Sequence, residues 1–365
     1  MQLPDSEGVD APRLSSVFSD TTNSYKFYWL LAILDSLSET GETRILTRDL
    51  SLRMIASVWY PLDYFRLSFG KQDGFKSIAD HVTNLLTVDN STNALSLFRQ
   101  LQSRLNEREL EQVYRKVRVL LDWVPYRFIR PFFAQETRGL PDQQVNAQIV
   151  ESANQTRRAP YVFLADAIEL TDDWATYLQQ HQAILRGFTN WHLVRFLQKN
   201  NPNVIGLTEK LDKPTERDLK LAARFWKGYL AKNPDLRCIY SGQSITTANL
   251  SLDHFLPWSF VAHDQLWNIV PTSKSVNSAK NDLLPSLELY FDSFAQMQYD
   301  GFNFYVSQNN QKIVEDYHVL FAQNVETIQQ QSFSEFKERL SRQVLPQVQT
   351  AQNMGFTYPF VYKMP

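Results

Sequence analysis

Apolar residues recur at three- and four-residue steps from about Thr22 to Asn200, the spacing of helices with one buried face. The stretch Tyr25 to Leu37 is apolar on nearly every side, which predicts a helix buried all round. Leu95, Phe98, Leu101 and Leu105 keep the helical step, and Leu110, Val113, Val117 and Leu121 keep it in the next segment. Thr171 ahead of Asp172 and Asp173 reads as an N-cap with an acidic first turn, and Asn190 as the cap of a helix over Trp191 to Lys199. No alternating strand pattern stands out in this half. Gly139-Leu140-Pro141-Asp142 reads as a loop within it, and the stretch from Asn200-Asn201-Pro202-Asn203 to Lys213-Pro214 as the domain boundary. Beyond the boundary, Thr215-Glu216-Arg217-Asp218 resembles a capping box with Asp in place of Glu or Gln. Leu219, Ala222, Ala223, Trp226 and Leu230 form the stripe of the helix that follows. Residues Cys238 to Thr272 are short and strand-like, with Gly242 as a turn, and helical periodicity returns over Leu287 to Met297 and Ser334 to Gln349. The expected architecture is mainly α with a small α+β module. It divides into a helical domain over residues 1–205, the mixed module with its lead-in helix over 206–300, and a helical extension over 301–365.

Composition narrows the function classes. The 365 residues carry 37 Lys and Arg against 39 Asp and Glu, a formal charge of −2, so a uniformly basic nucleic-acid coat is excluded while a local basic groove is not. Only 11 glycines are present and no Gly-rich phosphate cradle is among them. The single cysteine, Cys238, excludes a four-thiolate zinc site within one chain and suits a reducing compartment. The polar, acidic start Met1 to Glu7 is unlike a signal peptide. The longest apolar run, Tyr28 to Leu34, falls far short of the ~20 residues of a membrane span. A cytoplasmic protein without membrane association is expected.

The chemistry concentrates between Leu252 and Pro285. Asp253 and His254 are adjacent, Pro257 follows three residues after the histidine, Asn268 lies fourteen after it, Asn277 nine further on, and Lys280 three beyond that. Each is common alone. By typical residue usage the joint pattern has a chance occurrence below about one in a thousand. Phosphodiester hydrolysis needs an activated water and charge neutralisation at phosphate. His254, with a side chain that accepts a proton near neutrality, suits the general base. On a flat strand Asp253 points to the face opposite His254, so strand geometry alone does not bring the two together.

This pattern resembles the HNH nucleases of the ββα-metal (His-Me finger) fold, in an HNN form whose last position is Asn277. The spacing is similar to that of the HNH domain of RNA-guided CRISPR nucleases. The resemblance spans roughly Arg237 to Ser286 and leaves the helical half uncovered. It implies that Asp253 and Asn277 are the metal ligands, and their hard oxygens favour Mg²⁺ or Mn²⁺. His254, Asn268 and Lys280 complete the candidate catalytic set. Asn268 is expected to tie the two strands together through its amide. Lys280, one turn after Asn277, either meets a phosphate as a point charge or is a solvated surface lysine. Many family members bind a structural zinc through two Cys-x-x-Cys pairs. Here those regions read Cys238-Ile239-Tyr240-Ser241-Gly242 and Thr272-Ser273-Lys274-Ser275, so packing by Tyr240, Phe255, Trp258 and Trp267 must hold the fold.

Weaker signals surround this set. Lys274 and His263 are candidate substrate contacts, although ordinary loop polarity is the plainer reading of His263 and its neighbour Asp264. The run Tyr126-Arg127-Phe128-Ile129-Arg130-Pro131-Phe132-Phe133 suits either base stacking or, as the favoured reading, core aromatics with snorkelling arginines. No HExxH, GxSxG or SxxK motif is present. The resemblance implies a metal-dependent DNA endonuclease that nicks, leaving 5′ phosphate and 3′ hydroxyl. The helical half is expected to bind a protein partner or to regulate, as in bacterial restriction and anti-phage effectors. An RNA nuclease and a non-catalytic interaction or DNA-docking protein are the alternatives, and the pattern leaves oligomeric state open.

Overall fold

The computed structural model describes residues 2–88, 92–213 and 217–363. It is mainly helical with two small sheets, and the chain forms two units: Met1–Pro202 with Leu207–Lys213, and Asn203–Gly206 with Pro214–Pro365.

The first unit is built around the helix Tyr25–Thr40, which buries Phe27, Tyr28, Trp29, Leu30, Ile33 and Leu34. The helix packs against Thr47–Trp59 on one side and Gln182–Asn200 on another, which is why its sequence shows no polar face. Gly41, at φ 70°, ends it in the left-handed conformation, and its N–H returns to the Leu37 carbonyl at 2.9 Å. The segments Ala94–Arg104 and Glu107–Leu121 are helices, although Leu95 is exposed and Leu105 lies past the first helix's end.

Two expectations are corrected. Asn190 caps nothing: one unbroken helix runs Gln182–Asn200, because no proline or extended residue interrupts it there. The helical half also contains a three-stranded antiparallel sheet, β1 (Arg44–Leu46), β2 (Tyr161–Phe163) and β3 (Ala167–Leu170), in the order β1-β3-β2. These strands are three or four residues long, and β2 and β3 are buried on both faces, so neither shows the alternation by which a strand is read. Thr171 does take the N-cap position of Asp172–Gln180, without a side-chain cap bond. In the arginine–aromatic run, Phe128, Ile129, Phe132 and Phe133 are core, as the favoured reading has it.

The second unit begins with the helix Lys220–Lys232, which buries Ala222, Phe225, Trp226 and Leu230. Thr215 and Glu216 of the expected capping box lie outside the described residues. The strands β4 (Leu250–His254) and β5 (Ile269–Ser273) pair antiparallel, with His254 opposite Ile269, and the helix Lys274–Lys280 follows directly. Long helices Leu287–Ser307 and Phe333–Asn353 share one core with this ββα element. Phe255 stacks on Phe294 at 3.9 Å between centroids, and the indole N–H of Trp226 and the Gln298 amide both donate to the Ile269 carbonyl at 3.0 Å.

Gly301 lets two of these helices meet. A β-carbon there would stand 2.8 Å from the buried Phe225 ring, which has no room to retreat. Gly301→Ala is therefore expected to destabilise the protein by about 1–3 kcal/mol through overpacking, read as a lower urea midpoint. An unchanged midpoint would mean that Phe225 repacks freely.

Candidate active site

The site is assembled where β4 ends. After His254 the chain bends through Phe255 and Leu256 to Pro257. This bend brings the side chains of adjacent Asp253 and His254 to one small polar cavity of about 200 Å³, shared with Arg217, Asn277, Asn281 and Asp282. Strand alternation would have separated the pair; the end of the strand does not.

Asn268 fixes that bend. Its backbone carbonyl accepts from Phe255 N–H at 2.7 Å, its side-chain Oδ1 accepts from Leu256 N–H at 2.8 Å, and its Nδ2 donates to the Leu256 carbonyl at 2.9 Å. A buried amide can satisfy both of its ends only with a partner offering a donor and an acceptor in register, which the Leu256 backbone does.

Asp253 is nearly fully buried. The Tyr240 hydroxyl donates to its Oδ2 at 2.8 Å, and the Lys280 ammonium lies 3.2 Å from Oδ2 and 3.3 Å from Oδ1. Burial, together with the Asp253 charge beside it, raises the Tyr240 hydroxyl well above the ordinary tyrosine range, so it remains a donor. Lys280 is completely buried and also donates to the His254 carbonyl at 2.6 Å. Both expectations for Lys280, a free point charge and a solvated surface lysine, are thereby corrected: its charge is committed to Asp253. The helix Lys274–Lys280 turns this side chain inward because its opposite face carries the exposed Lys274, Ser275 and Ser278.

Asn277 donates through Nδ2 to Ser251 Oγ and to the Leu252 carbonyl, both at 3.0 Å. A carbonyl can only accept, which fixes the amide's orientation and leaves Oδ1 for the cavity. One carboxylate, already engaged by Tyr240 and Lys280, and one amide oxygen form a donor set that suits a hard divalent cation keeping water or taking phosphate oxygens as its other ligands. Among the described residues no three His, Cys, Asp or Glu side chains are grouped as a metal cluster, so any ion here leans on those other ligands.

His254 is nearly fully buried and its Nε2 lies 2.9 Å from Asp264 Oδ1. Asp264 Oδ2 accepts from the Asp218 N–H at 2.7 Å. Burial alone would raise the Asp264 pKa. The bonds from His254 and Asp218, with the charges of His254 and Arg217, outweigh burial and hold it below the usual carboxylate range. Asp264 is thus ionised and can only accept, so in the neutral imidazole His254 donates through Nε2 and Nδ1 is the acceptor. Arg217 is exposed at the cavity's mouth, with its guanidinium 5.3 Å from the centre of the Trp258 ring.

The sequence offers Asp264 only as a loop residue that could touch substrate, with ordinary polarity the plainer reading, and Arg217 not at all. One sits in a polar loop and the other in the expected helix cap beyond the domain boundary, both ordinary places for charge. The structure does not bring Lys274 or His263 to the cavity. Lys274 is exposed at the start of its helix, and His263 Nδ1 accepts from Gln265 N–H at 3.4 Å, with its ring 5.7 Å from that of Trp267.

The family model of HNH endonucleases matches residues 238–286. This segment is an HNH-family domain. Neither the curated proteins nor the solved structures yield a match to the chain. The HNH domain supports nuclease activity in general and implies a nucleic-acid substrate. In this HNH domain Cys238 Sγ lies 3.1 Å from Thr272 Oγ1. Tyr240, Phe255, Trp258 and Trp267 are all buried, the first two and Trp267 in one core with Cys238 and Trp258 at the polar cavity. No helix among the described residues is long and apolar enough to cross a membrane.

Proposed function

We propose that the protein is a metal-dependent DNA endonuclease whose elementary event is a nick. The observation that carries this reading is the convergence of Asp253, His254 and Asn277 on one cavity, with an ionised carboxylate behind the histidine. His254 Nδ1 takes a proton from the attacking water as the water oxygen bonds to phosphorus. The bond from phosphorus to the 3′ oxygen breaks, and that oxygen is protonated from solvent. Asp264 keeps the imidazole in the tautomer that offers Nδ1 and stabilises the imidazolium formed. Arg217 meets the non-bridging phosphate oxygens. Asp253 and Asn277 would hold Mg²⁺ or Mn²⁺, which when bound supplies charge for the phosphate and the leaving oxygen. Lys280 and Tyr240 keep the Asp253 carboxylate in place. The near-neutral net charge argues against indiscriminate DNA binding and so favours recruitment by a protein partner through the helical unit in a restriction or anti-phage setting.

Supercoiled plasmid incubated with the purified protein is expected to become nicked in Mg²⁺ or Mn²⁺, to stay intact in EDTA, and to be cut again when metal is restored. A parallel RNA substrate is expected to survive. Cutting that ignores EDTA, or no cutting with either metal, would overturn the proposal.

Asp264→Asn is expected to lower the nicking rate about 10–100-fold with little change in stability, because the amide no longer fixes the tautomer. Single-turnover nicking measures it, and a wild-type rate would remove Asp264 from the mechanism.

A further inference from the structure

The helical unit contains a second cavity, of about 750 Å³, that the nuclease reading does not use. One wall is the segment from Ser16 to Lys26. The other is the arginine–aromatic run, whose rings fill the core while its cations turn outward. Lys26, Arg127, Arg130 and Arg138 line this space, and Asp20 is the one acidic side chain lining it among the described residues. Lys26 is anchored by donating to the carbonyls of Val17 at 3.1 Å and Asp20 at 2.8 Å. Arg127 pairs with Asp142 at 2.7 Å, whereas among the described residues Arg130 and Arg138 have no ion-pair partner. Burial depresses the Lys26 pKa, the Asp20 charge opposes this, and the charges of Arg130 and Arg127 depress it further, so these cations feel one another.

Trp123 stands at the same cavity and is 48% exposed, with the Arg127 guanidinium 5.3 Å from its ring centre. A large exposed indole at the same cavity as the unpaired Arg130 and Arg138 offers a base a face to stack on and its phosphates a partner. The volume is within the range of small-ligand sites.

We propose that this cavity binds a nucleotide, with Trp123 stacking on the base and Lys26, Arg130 and Arg138 taking the phosphates. The ligand is either a free nucleotide or one unit of a nucleic-acid strand, and the two share this chemistry.

The test uses the full chain in EDTA, so that no cutting intervenes. Fluorescence anisotropy follows a labelled ATP analogue in one arm and a labelled thymidine oligonucleotide in the other, with tripolyphosphate as competitor. Saturable binding of at least one probe is expected, and the tighter arm identifies the source. The double variant Arg130→Ala/Arg138→Ala is expected to weaken binding about tenfold or more and, in the oligonucleotide arm, to flatten the salt dependence by about 1.4 in log–log slope, from two lost phosphate contacts. Trp123→Ala is expected to weaken nucleotide binding about fivefold or more while leaving tripolyphosphate affinity unchanged. All three positions are exposed, so melting temperatures should match that of the parent. The proposal is overturned if neither probe binds at about 1 mM. It is equally overturned if the variants bind as the parent does, or if tripolyphosphate competes as well as ATP and Trp123→Ala has no effect. None of these outcomes depends on His254 or on nicking, so the nuclease reading stands or falls separately.

Discussion

His254→Ala is expected to lower the nicking rate about 10²–10⁴-fold, the contribution of a positioned general base. Neither candidate metal ligand takes over this task. Asp253 is engaged by Tyr240 and Lys280, and the Asn277 amide does not accept a proton at neutral pH. The substitution spares the scaffold, because Asn268 holds the bend through the backbone of Phe255 and Leu256 and makes no bond to the imidazole. Asp264 retains the Asp218 N–H and the nearby Arg217 charge. The same logic makes Asp264→Asn nearly silent once His254 is gone, since a residue that acts through the imidazole has nothing left to orient. Single-turnover nicking by the wild type, both single variants and the double variant reads this directly. Wild-type rates from His254→Ala in repeated preparations would remove the histidine from the mechanism. A double variant slower than His254→Ala by the full Asp264→Asn factor would show that Asp264 acts by another route.

Lys280→Met is expected to be the most damaging single change to stability in this unit. It leaves the Asp253 carboxylate buried without its counter-ion, and breaking a buried pair from one side costs about 3–5 kcal/mol. The Tyr240 hydroxyl alone does not compensate a full charge. The variant also loses the donor to the His254 carbonyl, so its nicking rate should fall with its stability. Removing the second charge as well, in Asp253→Asn/Lys280→Met, is expected to recover part of the stability and none of the activity. Urea unfolding of the two single variants and the double variant measures the coupling. Equal midpoints for Lys280→Met and the wild type would show that the carboxylate finds solvent or another partner.

The contrast between these two residues explains what the sequence could and could not reveal. Asp253, His254, Asn268 and Asn277 are visible as a set because their spacing resembles that of the HNH nucleases, and the structure distributes them over two paired strands, the segment joining these and the helix that follows. The long helices are visible because a buried stripe repeats at a fixed period. Asp264 reaches His254 only through the path of a loop, which leaves no periodic trace, and charged residues in loops ordinarily face water. The burial of Lys280 leaves no trace for a similar reason: lysine is almost never buried without a partner, and its partner lies 27 residues away across the fold. The strands β1 to β3 escaped because three or four residues, buried on both faces in β2 and β3, carry too little pattern to separate from a helix.

The stacking of Phe255 on Phe294 also has a bearing on protein engineering. Phe294 and Gln298 lie beyond the family-matched span, and Trp226 lies before it, yet all three close the core around β4 and β5. A fragment trimmed to residues 238–286 would carry Phe255 and Ile269 without the surfaces that cover them, and without a zinc knuckle to compensate. The transplantable piece is therefore larger than its signature. A graft into another host would have to run from Arg217 through Phe360, so that the nuclease travels with its own helical casing and keeps the Asp218 contact to Asp264 and the Phe360 bridge to Pro285.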